Sequence, residues 1–148
     1  MTTSNSQHRA LREYVVALLL AGTAMCSGAV FGQRAYPLPT GRAAQIHVTI
    51  EQSEPEIGIL TGAPVDWTTT LQLQVLARAI DGTAAEDLAD QLWTEAYARI
   101  AADATLGGSV QMFTPQSMYL DQDEADTAVV RLTWSFTVQH RTASNTIT

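Results

Sequence analysis

A chain of 148 residues has length for one domain and one buried core, not two. It is 46% hydrophobic but only 16% charged, below the roughly 25% usual in soluble domains, so much of its surface must be uncharged, as contact surfaces between subunits are. The net charge is -7, the eight basic residues are all arginine and unclustered, and there is one cysteine; a phosphate-gripping nucleic-acid binder and an internal disulfide are both excluded.

The first predicted element is an amphipathic helix from about Ser6 to Ala21, with Leu11, Val15, Leu18, Leu19 and Gly22 on one side and Arg9, Arg12 and Glu13 on the other. The same stretch imitates an export signal: arginines precede the apolar run Val15 to Ala21, Gly22-Thr23-Ala24 resembles a cleavage point, and Cys26 follows. Met25 stands where a lipoprotein signal wants a small residue, and Gly22, Thr23, Ser27 and Gly28 interrupt the run before it reaches the about 20 residues of a membrane span. We take the segment as part of the fold, with an exported envelope lipoprotein-like binding protein as the alternative of another class.

Arg34 to Pro39 reads as an extended connector, because each proline disfavours helix in the residue before it. Ile46, Val48 and Ile50 alternate with His47, Thr49 and Glu51, a strand with one buried face, which makes His47 a surface or interface histidine. Gln52 to Pro64 reads as a loop, and Trp67 to Ala79 as a second strand burying Leu71, Leu73, Val75 and Ala77. Thr83-Ala84-Ala85-Glu86 has capping-box spacing for a second helix, with Leu88, Leu92, Ala96 and Ile100 as its apolar stripe, flanked by Trp93 and Tyr97, and Gly107-Gly108 past its end. A weaker strand spans about Gln116 to Asp121. The acidic loop Gln122 to Asp126 follows, then the clearest strand, burying Val130, Leu132, Trp134, Phe136 and Val138 and expected to be central.

These elements predict an α+β domain over 1–148, with flexible ends at 1–7 and 143–148. Its mostly antiparallel sheet has about four to five strands, carries two helices on one face, and follows the order α-β-β-α-β-β.

Chemistry is hard to find in this residue supply. His8, His47 and His140 have no partner at zinc-ligand spacing, His8 lying near the mobile start and His140 at the edge of the core. Cys26 lacks the cationic neighbours of a reactive thiolate, and Gly107-Gly108 follows a helix instead of opening one. Asp121, Asp123, Glu124 and Asp126 form a weak candidate for calcium or magnesium, lacking the framework of a dedicated loop; a solvated turn is the default. We expect no catalytic residues and no cofactor. Charge is segregated, with Arg9, Arg12, Arg34 and Arg42 early and carboxylates concentrated between Asp81 and Asp126. That suits head-to-tail subunit contacts, with Arg9, Arg12, Arg34, Tyr36, Asp121, Asp123, Glu124 and Asp126 as candidate interface residues; a solvated acidic helix is the bland alternative.

Several stretches taken in order resemble a known family. These are Arg34-Ala35-Tyr36-Pro37-Leu38-Pro39; Trp67-Thr68-Thr69-Thr70-Leu71-Gln72-Leu73-Gln74-Val75 leading to Ala84-Ala85-Glu86-Asp87; Ala102-Asp103-Ala104-Thr105-Leu106-Gly107-Gly108; and Val138-Gln139-His140-Arg141-Thr142. Their order and spacing resemble the phage tail terminators of the lambda-type minor tail protein U group, over about residues 8 to 142. The resemblance implies a virion protein of the neck between head and tail: a homo-oligomeric ring, hexameric in that family, that caps the tail tube protein and stops polymerisation. It also implies a surface for the head connector or head-completion protein, double-stranded DNA passing through the lumen without specific binding, and no membrane partner. Another neck or tail-completion protein is the nearest alternative.

Overall fold

A computed structural model describes residues 6–33, 37–56, 62–79, 83–122, 128–143 and 147. Helix α1 (Gln7–Leu20) opens at Ser6, whose hydroxyl accepts from the Arg9 amide. It buries Leu11, Val15, Val16 and Leu19. A short 3-10 turn (Met25–Gly28), with Cys26 and Ser27 at φ of 51° and 54°, reverses the chain into a two-residue strand β1 (Val30–Phe31) that the sequence pattern does not announce. Strands β2 (Ala44–Pro55) and β3 (Val65–Arg78) follow, then helix α2 (Ala85–Ala102) and strands β4 (Met112–Gln122) and β5 (Val129–Thr142). No helix among the described residues is long and apolar enough to cross a membrane.

The five strands lie in the order β1-β2-β3-β5-β4, with β1 parallel to β2 and every other pairing antiparallel. The expected α+β class and element order hold. β5 is an interior strand, but β3 occupies the middle. Both helices pack on one face, α1 over β1 and β2, α2 over β3 and β5. Between helices and sheet lies the core, where Ile46, Val48, Leu71, Leu73, Val75, Leu132, Trp134, Phe136 and Val138 meet Leu11, Val15, Leu19, Ala89, Ala96 and Ile100.

Several expected boundaries need correction. The loop reading of Gln52 to Pro64 fails at its start, since β2 runs on to Pro55. A bulge at Glu51 flips the pleat there, so the helix-side positions pass from Ile46, Val48 and Ile50 to Ser53, opposite Thr69. A second bulge at Gln116 does the same in β4, which reaches back to Met112, so Phe113 and Met118 share the helix side across a change of parity. Thr83 is not the cap of α2; Ala84 holds that position and offers no side-chain bond. The α2 stripe is rotated too: Ala89, Ala96 and Ile100 are buried, while Leu88, Leu92 and Trp93 are half-buried at its margins.

The two helices are tied at their ends. Arg99 of α2 donates to the carbonyl of Leu19 (2.9 Å), which the end of α1 leaves without a helical partner, and to those of Ala21 (3.0 Å) and Thr23 (2.6 Å) just beyond it. The Tyr14 hydroxyl donates to Asp103, whose other carboxylate oxygen accepts from the Gly107 amide at 3.2 Å. Gly107 sits at φ 73°, and a Cβ there would lie 3.0 Å from the Tyr14 ring, so glycine is required on both counts.

Candidate functional site

The helix-side face of the sheet ends in a polar cluster beneath the first turn of α1. The alternation that buries Val138 on β5 continues to His140 and Thr142, and that of β3 runs back from Leu71 to Thr69, so polar side chains take up core positions. His140 and Thr69 are completely buried. His140 Nδ1 lies 2.6 Å from Gln7 Oε1 and its Nε2 lies 2.6 Å from Thr69 Oγ1. Ser53 Oγ is 2.8 Å from Thr69 Oγ1 and 2.8 Å from His8 Nε2. The His8 ring meets those of Trp67 and His140 edge-on at 4.9 and 4.8 Å, and Trp67 donates its indole N–H to Thr142.

A neutral imidazole has one donor and one acceptor nitrogen, so the chain of bonds has a direction. His140 Nδ1–H donates to the Gln7 carbonyl, and its Nε2 accepts from Thr69, which accepts from Ser53, which accepts from His8 Nε2–H. Burial, then the neighbouring His8, pushes the His140 pKa down to about 4. Burial lowers that of His8 as well. Both rings are therefore neutral at pH 7. Ser53 receives a proton from His8 and directs its own at Thr69, the reverse of what a base-activated nucleophile needs. The geometry makes a latch between α1 and three strands.

The readings of the three histidines change accordingly. His8 is half-buried in the latch instead of lying free near the chain start, and His140 is in the core, not at its edge. His47 is no surface residue: it is 1% exposed, Nδ1 donates to the Gln33 carbonyl at 3.1 Å, and Phe31 lies against the ring at 5.4 Å. β1 and the segment after it cover a position that alternation alone leaves open.

An open pocket of about 560 Å³ lies between the β1 edge and α2, lined by Cys26, Gly28, Phe31, Arg42, Leu88 and Leu92. Burial, with Glu95 adding, raises the Cys26 thiol to about 11, so it is protonated and a poor nucleophile. Arg42 stacks over Phe31 at 5.7 Å and donates to Gln45 at 2.9 Å.

Of the predicted interface residues, Arg9 is exposed on α1, and Arg12, half-buried, pairs with Glu13 at 2.9 Å. Asp121 is exposed on β4, cross-strand from Arg131. Arg34, Tyr36, Asp123, Glu124 and Asp126 lie outside the described residues, so the acidic cation candidate is described only at Asp121. The first turn of α1, with Arg9, lies over the His140 end of β5, whereas Asp121 pairs with Arg131 near the other end of that strand and on the other face; one subunit does not bring them together.

The feature that sequence reading missed is on β4. All of its residues but Phe113 are exposed, including Met112, Met118, Tyr119 and Leu120 at 39–54%, and Tyr97 of α2 stands beside them at 36%. Neighbouring strands are about 4.8 Å apart and packed helices about 10 Å, so two helices cover about four strands. The fifth is left bare.

No protein-family model matches this sequence, and no curated protein sequence matches it. Among solved structures, a chain in the virion of a native gene transfer agent particle has the same fold, with a TM-score of 0.52 and 14% identity over 89% of this chain and 95% of that one.

Proposed function

We propose that the chain is a structural virion protein without catalytic activity, a tail terminator whose copies close into a ring on the end of the tail tube, stop its polymerisation and join it to the head connector in the neck. The observation that carries this reading is the fold shared, nearly end to end on both sides, with a chain of a gene transfer agent virion. The tail-terminator role and the six-fold ring come from the family resemblance of the sequence, and the uncovered β4 supports association. Burial of Leu11, Val15 and Leu19 at 0–2% exposure favours this reading over an exported protein, because cleavage after residue 24 would strip those side chains from the core.

Mass photometry of the purified chain is expected to give a species near six times the 16.0 kDa subunit mass. Electron microscopy of mixtures with purified tail tubes is expected to show it on tube ends. A chain that stays single at high concentration and leaves tube ends bare defeats the reading. Binding to connectors but not to tubes would select the other neck proteins.

A further inference from the structure

We propose that the bare sheet over β4 is the seat of α1 from a second copy, so that copies join head to tail with the helix layer running on from one to the next. This rests on the ring reading above and adds which surfaces meet.

The first reason is the vacancy. On the helix side of β4, Met118 stands opposite Trp134 and Leu120 opposite Leu132, both partners buried, yet Met118 and Leu120 are 42% and 39% exposed because no helix among the described residues lies over them. The helix at the other edge of the sheet is α1, over β1 and β2. A neighbour placed edge to edge in the same orientation therefore brings its α1 next over β4.

The second reason is height along the strands. Arg99 binds the carbonyls that end α1, so Leu20 lies level with the α2 turn holding Tyr97, and Tyr97 packs on Trp134 at 5.1 Å, the cross-strand partner of Met118. Leu20, 36% exposed, thus arrives at the height of Met118 and Tyr97 without a shift between copies.

Charge supplies the third. Gln45, Leu76, Arg131 and Asp121 form one straight row across the sheet. Arg42 is bonded to Gln45 at one end of that row, and Asp121 is exposed at the other. The same unshifted placement sets Asp121 of one copy beside Arg42 of the next, and a head-to-tail contact of this kind closes rings.

The test uses the full chain with Cys26→Ser, Leu20→Cys and Met118→Cys, both new positions being exposed, oxidised under non-denaturing conditions and run on a non-reducing gel. The expected result is a ladder of covalent multimers reaching the ring size. Each single-cysteine chain should remain at monomer mobility, since Leu20 meets Met118 and not itself. A chain that sizes as an assembly yet gives no ladder overturns this interface and leaves the ring reading intact. One that sizes as a monomer and gives no ladder overturns both.

Discussion

A histidine in the core is tolerated while it is neutral and both its nitrogens are bonded, and His140 meets both conditions through Thr69 and Gln7. Its pKa is about 4 in the fold against 6.5 for an unperturbed histidine. Between those values the unfolded chain holds a proton that the native state refuses, so stability is complete above pH 6.5 and declines as pH falls toward 4, by roughly 3 kcal/mol before levelling. His8 and His47, lowered by burial, add to the decline. Replacing His140 with asparagine should destabilise the protein by about 1–3 kcal/mol at pH 7.5, because buried Thr69 and Gln7 lose a partner. At pH 4.5 that deficit should shrink or reverse, since the penalty for charging the imidazole is gone. Urea unfolding at the two pH values measures both numbers; an equal deficit at each would mean that His140 titrates normally in the fold.

At the level of elements, the end of α1 depends on a cation from its neighbour. Gly22, at φ 63°, lets the chain turn away, but the carbonyls of Leu19, Ala21 and Thr23 are satisfied by the Arg99 guanidinium, itself braced by Glu95 at 2.8 Å. Arg99→Met keeps most of the packing and removes the donors, so it should cost about 2 kcal/mol in chemical denaturation. Arg99→Lys should recover less than half of that, because an ammonium cannot present a planar fork to several carbonyls. The strands that were legible in sequence, β3, β5 and the first half of β2, are those whose alternation is unbroken and whose helix-side positions are apolar. Legibility failed where a bulge flips the pleat, at Glu51 and Gln116, and where the helix-side residue is polar, as at Ser53, Thr69 and His140. β4 carries Met118, Tyr119 and Leu120 in succession because both of its faces are open in the single subunit, so no alternation marks it. A row of apolar residues on an edge strand was the available sign of a contact surface. The latch could have been suspected from polar residues falling in phase with buried ones.

Over the whole molecule, the centre of the sheet face away from the helices is uncharged. Gln72 and Gln74 of β3 and Thr133, Ser135, Thr137 and Gln139 of β5 form it, and the arginines around it are engaged: Arg141 is bonded to Asp66 at 2.7 Å, Arg131 lies across from Asp121, and Arg42 and Arg78 donate to Gln45 and to the Leu38 carbonyl. Binding to duplex DNA is driven by cations that displace condensed counterions from phosphates. A face with an uncharged centre and arginines already engaged in bonds, on a chain of net charge -7, has little such drive. Labelled duplex DNA should therefore show no saturable change in anisotropy with this protein at about 0.15 M salt, where surface fields fade within about 8 Å. Asp66→Asn removes the carboxylate bonded to Arg141 and should produce weak binding only at low salt, lost steeply as salt is raised. Saturable binding by the unaltered chain at physiological salt would mean that its surface grips the duplex, which is incompatible with a ring through which a genome slides.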